Sequence, residues 1–216
     1  MASFIKKIVE YNQQVTGGAL GGILLAWEFD PSLFQEVLKA SIAEMKKAGI
    51  PYDLLQARKP GSPEQMLEQG FNLSSRATGN DWSHISIGFI PKLNSEEVPS
   101  IYNTAKSHVP TYKLLKISTL EAPTSGLNYL VIDLDLPSRE VQLKKALRSR
   151  FDDFVTGEDR GYPERPHVSI LGFKKSEDSK VKALIPALNK VIQGKTAKPE
   201  ALQFWQAFQV LKHLKV

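Results

Sequence analysis

The tetrapeptide His84-Ile85-Ser86-Ile87 recurs 83 residues later as His167-Val168-Ser169-Ile170, and each copy sits inside an apolar, β-branched run. Such runs favour strands. In a strand, residues i and i+2 share a face, so each copy presents an imidazole beside a hydroxyl on one side and two aliphatic side chains on the other. The match continues as Gly88-Phe89-Ile90 beside Leu171-Gly172-Phe173. The fold must therefore hold two related strands, each with one buried and one polar face. Opposed across a cleft, the polar faces would supply a general acid, a general base and two hydroxyls for phosphate oxygens. A single His-x-Ser is ordinarily only a polar pair at a sheet surface; the repetition points to chemistry. His108 and His213, followed by Val-Pro and Leu-Lys, lie outside the pattern.

The elements around the motifs repeat as well. Leu20 to Glu28 reads as a buried strand, followed by a helix with Asp30 as N-cap, Pro31 in its first turn and Leu33, Phe34, Val37, Leu38 and Ile42 on one face. Gly49 and Pro51 stop it. After the His84 strand come a helix near Glu96 to Lys106 and a strand from Tyr112 to Leu120. The second half follows the same order. Tyr129 to Leu136 is a strand, and Pro137-Ser138 leads into a helix carrying Val141, Leu143, Leu147, Phe151 and Phe154. The His167 strand comes next, then a helix from about Glu177 to Gln193 closed by Gly194, then one aromatic strand from Leu202 to about Leu211. The strand-to-helix corners also correspond, Trp27-Glu-Phe-Asp-Pro-Ser32 beside Ile132-Asp-Leu-Asp-Leu-Pro-Ser138. The pattern predicts an internal duplication, with lobes formed mainly from about 20–120 and 127–213, exchanging strands or not, within one cooperative unit spanning 1–216.

This arrangement resembles the two-histidine (2H) phosphoesterase superfamily, the RNA ligase and cyclic-phosphodiesterase-like proteins, which carry two His-x-Thr/Ser motifs about 80 residues apart. The resemblance implies an α+β, bilobal, duplicated fold with two antiparallel-rich sheets flanking a central cleft and helices outside. It also implies metal-free phosphodiester chemistry on nucleotides or RNA ends. An aromatic that often follows the motif fits at Phe89, whereas Gly172 holds that place in the second copy and Phe173 comes one residue later. A bulge at Gly172 would restore the alignment.

His84 and His167 are thus the expected acid and base, in an order the sequence leaves open, and Ser86 and Ser169 the expected phosphate-binding hydroxyls. Around the second motif, Tyr162 is positioned to stack on a base and Arg165 to meet a phosphate; both serve equally as shapers of an exposed loop. Arg160 reads as part of that loop, and Trp27 and Trp205 as core. The halves differ most between the first helix and the motif strand, a connection from about Ile50 to Asp81 against only Val155 to Pro166. The longer one offers Arg58, Lys59 and Arg76, with Trp82 at its end, as substrate contacts over His84, or else merely covers one edge of the core.

No cofactor is expected. The chain has no cysteine, which excludes disulfides and thiolate metal sites and favours a reducing compartment, cytoplasmic or nuclear. Two histidines and two hydroxyls make a poor zinc site, and no carboxylate close in sequence repeats with the motif. A Ser-His hydrolase is disfavoured because the pair projects in parallel and no Gly-x-Ser-x-Gly elbow occurs. The N-terminus lacks a secretory signal, and no apolar run approaches a membrane span. A net charge of +5 over 216 residues suits a polyanion, although acidic and basic residues are interspersed as on any mixed surface. The expected partner is a nucleotide or RNA substrate, and the expected state a monomer. Three functions stay open: cleavage of cyclic or 2′-linked phosphodiesters, with 2′,3′-cyclic phosphate as default; hydrolysis of a cyclic oligonucleotide second messenger; and nucleotide or RNA binding without turnover.

Overall fold

Both His-x-Ser runs are strands in the computed structural model, which describes residues 23–53, 83–91, 93, 97–121, 127–160, 165–206 and 209–216. β1 (Ile23–Phe29) leads into α1 (Pro31–Lys47), where the Asp30 carboxylate accepts the Ser32 N–H at 2.8 Å and Pro31 occupies the first turn. The side chain thereby satisfies one of the otherwise orphaned donors of the helix start, and Pro31 has no N–H to satisfy. Phe34, Val37 and Met45 are fully buried on its inner face, with Leu33, Leu38 and Ile42 packed beside them. Gly49 closes the helix at a φ of 65°, in the left-handed region that glycine enters at no steric cost.

The remaining elements are β2 (Tyr52–Asp53), β3 (His84–Ile90), α2 (Val98–Ser107), β4 (Tyr112–Glu121), β5 (Leu127–Leu134), α3 (Ser138–Arg150), β6 (His167–Lys174), α4 (Asp178–Ile192), β7 (Thr196–Ala197), β8 (Pro199–Gln206) and β9 (Gln209–Lys215). Pro99 falls in the first turn of α2, where its missing N–H costs nothing. Three expectations are corrected. β5 ends at Leu134 rather than Leu136, and α3 stops at Arg150, so that Phe151 and Phe154 are buried beyond the helix. The C-terminal aromatic strand is a hairpin, β8 and β9, pairing from Ala201–Lys215 to Gln206–Gln209.

Two antiparallel sheets result, β3-β1-β8-β9 and β2-β6-β5-β4-β7. Neither comes from one half of the chain alone. β4 joins the second sheet beside β5, and β8 joins the first beside β1. The helices cross over too, α1 packing on β6 and α4, and α3 on β3 and α2. One apolar cluster, from Trp27 and Phe204 in the first sheet to Ile170 and Phe173 in the second, therefore joins both lobes. Even the chain leaving each half's first helix repeats the exchange: Val155 pairs with Phe89 of β3, and Asp53 pairs with Gly172 of β6. The long connection thus begins on the second motif's strand. Arg58, Lys59, Arg76 and Trp82 lie outside the described residues.

Candidate active site

Among the described residues each motif strand forms an inner boundary of its sheet, β3 as the edge of the first and β6 paired at its far end with the two residues of β2. The two His-x-Ser faces meet there. His84, Ser86, His167 and Ser169 line one cavity of about 300 Å³. The aliphatic partners Ile85, Val168 and Ile170 are buried on the opposite faces, as the two-residue period requires, while Ile87, also buried, borders the cavity.

Cross-strand registers are equivalent in the two copies. On β1, Glu28 stands opposite His84 and Ala26 opposite Ser86; on β5, Asp133 stands opposite His167 and Val131 opposite Ser169. Directly opposed residues of an antiparallel pair share a face. Each imidazole therefore has a buried carboxylate beside it. The Gln203 amide donates to Glu28 at 3.0 Å, and the Arg165 guanidinium pairs with Asp133 and donates to Ser118. These acids are the neighbours of the histidines that motif reading missed. Their signal was present in the matching corners Trp27-Glu28 and Ile132-Asp133, but only the register shows that they face histidines.

A bulge follows the serine in both strands. The partner of Ser86 is Ala26 and that of Gly88 is Leu25, which leaves Ile87 as the extra residue; Ser169 and Leu171 likewise face Val131 and Leu130, leaving Ile170. The expected bulge at Gly172 is thus displaced to Ile170. Gly172 is the true counterpart of Phe89, since Asp53 and Val155 pair with them respectively. Phe89 lines the cavity. Phe173 is core, with 1% exposure, so among the described residues Phe89 is the aromatic of the cavity wall.

His167 is held in one tautomer. Its Nδ1 lies 2.9 Å from the Arg165 carbonyl, which can only accept, so Nδ1 carries the hydrogen and Nε2 the lone pair. Burial lowers its pKa below the ordinary value of 6.5; the Arg165 carbonyl bond and the Asp133 charge oppose that, while the Arg165 charge adds to it. The ring is set up as a neutral acceptor near pH 7. Arg165, expected as a phosphate contact, lines the cavity and commits one of its two terminal nitrogens, Nη2, to Asp133 and Ser118. Tyr162 lies outside the described residues, as do the side chains of Arg160, Trp205 and His213. His108 is spent at the end of α2, its Nδ1 2.8 Å from the Thr104 carbonyl. Trp27 is core.

One cavity wall is the chain after α3, through Thr156, Gly157 and Glu158. Val155 and Phe89 exchange backbone bonds of 2.7 and 2.9 Å, which fixes it to β3. Gly88 permits the approach. A Cβ there would meet the Phe154 ring at 2.5 and 2.7 Å and the Val155 carbonyl at 2.8 Å. Gly88→Ala is expected to lower stability by about 1–3 kcal/mol, the usual cost of overpacking, and to displace this wall. Denaturant unfolding measures the first effect, and amide exchange at Val155 the second. An unchanged midpoint with undisturbed Val155 protection would contradict the steric argument.

Among the described residues, no three His, Cys, Asp or Glu side chains gather to hold a metal ion, and no helix is long and apolar enough to cross a membrane. No protein-family model and no curated protein matches the sequence. Solved structures do. Kluyveromyces marxianus Usb1 aligns with a TM-score of 0.51 at 14% identity, over 91% of this chain and 99% of that chain. A structure of the same protein with uridine monophosphate aligns at 0.48 and 13% identity, over 90% and 97%. At such identity the likeness is one of fold: the chain shares a bilobal, antiparallel-rich α+β architecture with that protein.

Proposed function

We propose that this chain is a metal-independent phosphodiesterase acting on RNA ends or small nucleotides, with a 2′,3′-cyclic phosphate as its default substrate. The observation that carries the reading is the convergence of both His-x-Ser faces on one cavity, with His167 held as a neutral Nε2 acceptor. His167 takes the proton of the attacking hydroxyl or water as it adds to phosphorus. His84, protonated at the outset, gives its proton to the departing ribose oxygen. Ser86 and Ser169 donate to the non-bridging oxygens, each charged hydrogen bond being worth about 1.5–3 kcal/mol, enough to orient the phosphate but not to replace proton transfer. A substrate panel tests this: 2′,3′-cyclic nucleotides, 2′-5′ and 3′-5′ oligonucleotides and cyclic dinucleotides, with and without EDTA, with the product phosphate located. Turnover restored to a chelated enzyme only by a divalent ion would refute the paired-imidazole mechanism. Binding without single-turnover cleavage of any member would instead identify a nucleotide-binding module.

The pH profile tests the direction of proton flow. Because His167 must be neutral and its pKa is lowered, the acidic limb of kcat/KM is expected to fall below pH 6.5, with activity lost as pH drops through it. Asp133 pulls the other way, so Asp133→Asn should move that limb further down. A limb above 6.5 that stays in place in Asp133→Asn would assign the base to another group.

A further inference from the structure

α3 carries a charged pair that the chemistry above does not use. Glu140 has 0% exposure. Its Oε2 accepts the Trp27 indole N–H at 3.1 Å and the Tyr112 hydroxyl at 2.6 Å, one from each sheet. Its Oε1 lies 3.2 Å from the Lys144 ammonium, one helical turn further on, whose side chain is only 13% exposed. Lys144 lines the cavity that holds His84 and His167.

We propose that Lys144 is a phosphate-contacting residue of this cavity, with Glu140 as the positioning residue that fixes its ammonium relative to both motif strands. The inference rests on the phosphodiester reading and supplies it with a cation from among the described residues. A phosphodiester arrives as an anion and gains charge at its non-bridging oxygens during displacement. The two serines are neutral donors, Arg165 is engaged by Asp133 and Ser118, and the cavity wall also carries the acids Asp133 and Glu158. A fixed ammonium at this place supplies charge without reorganisation. Anchoring to a carboxylate that Trp27 and Tyr112 hold from opposite sheets also costs the side chain its rotamer freedom before substrate arrives, which leaves less to lose on binding.

The competing explanation is that Lys144 only neutralises buried Glu140. A paired variant separates the two, because Lys144→Met with Glu140→Gln removes both charges and leaves an amide oxygen for Trp27 and Tyr112. Uridine 3′-monophosphate is the binding probe. The double variant, folded as judged by its unfolding midpoint, is expected to bind it about 10- to 100-fold more weakly, the effect of one charged hydrogen bond, and Lys144→Arg to retain most of the affinity. Binding within twofold of wild type by the double variant would overturn the proposal. Should that variant not fold, wild-type protein labelled at lysine 13Cε decides: the Lys144 resonance, assigned by Lys144→Arg, is expected to move saturably with added nucleotide, and a resonance unmoved at saturation overturns the proposal equally. Nucleotide binding that depends on Lys144 in a chain that cleaves none of the panel would support this contact while removing the catalytic reading.

Discussion

His84→Ala and His167→Ala are each expected to lower phosphodiester cleavage by about 10²–10⁴, the usual contribution of one positioned acid or base. Stability should change little, because both rings stand on the cleft face, partly exposed, while Ile85 and Val168 carry the burial on the other side. His167→Ala also frees the Arg165 carbonyl beside the open cavity, where water replaces the lost donor. The two variants should differ in their pH dependence. His167→Ala loses the acidic limb, and His84→Ala loses the basic limb, since one ring must begin neutral and the other protonated. Single-turnover cleavage by purified, folded variants is the measurement. A near-wild-type rate for either would sink the paired mechanism, whereas equal losses with unchanged pH limbs would leave the site and remove the role assignment.

The histidines were legible because a strand motif carries its own geometry: residue types and a period of two suffice to put imidazole and hydroxyl on one face. The first helix was legible for a similar reason, since Asp30, Pro31 and Gly49 each act on backbone groups within a few residues. What the sequence concealed depends on register. Glu28 and Asp133 face the histidines only because of how β1 and β5 pair, and the bulges at Ile87 and Ile170 alter that pairing beyond the serine. Gly172 was misread for the same cause. Glycine tolerates a bulge, but the bulge belongs to Ile170, where each strand bends away after presenting its hydroxyl. The hairpin of β8 and β9 was read as one strand because Ala207-Phe208, between its arms, carries no turn residue. Which helix covers which sheet was equally hidden, because the alternatives share the same apolar faces.

Glu140 is the clearest case of a role that no local pattern reveals. An acid in the first turn of a helix ordinarily faces water and complements the helix dipole. Here it is fully buried, accepts hydrogen bonds from Trp27 and Tyr112 and forms an ion pair with Lys144, so both of its hydrogen-bond partners are supplied by tertiary structure. Glu140→Ala is therefore expected to be the most destabilising single change considered, about 3–5 kcal/mol, as when one partner of a buried charged cluster is removed. The loss has named parts. The Tyr112 hydroxyl and the Trp27 indole N–H lose their acceptor, the Lys144 ammonium loses an ion-pair partner, and each buried donor left unmade costs about 1–3 kcal/mol. Burial, with the Glu140 charge and its hydrogen bond, pushes Tyr112 well above its usual 10, so that hydroxyl stays a donor through the neutral range. Its contribution is complete below pH 10 and fades only as pH rises beyond it. Glu140→Gln should cost much less, since the amide oxygen still accepts from Trp27 and Tyr112. Urea unfolding at neutral pH compares the two, with an unchanged m-value marking a genuine stability difference. If Glu140→Ala unfolds within about 1 kcal/mol of wild type, Trp27 and Tyr112 have other acceptors and the carboxylate does not hold the lobes together; a small loss in Glu140→Gln beside a large one in Glu140→Ala would locate the stabilisation in the hydrogen bonds rather than in the charge.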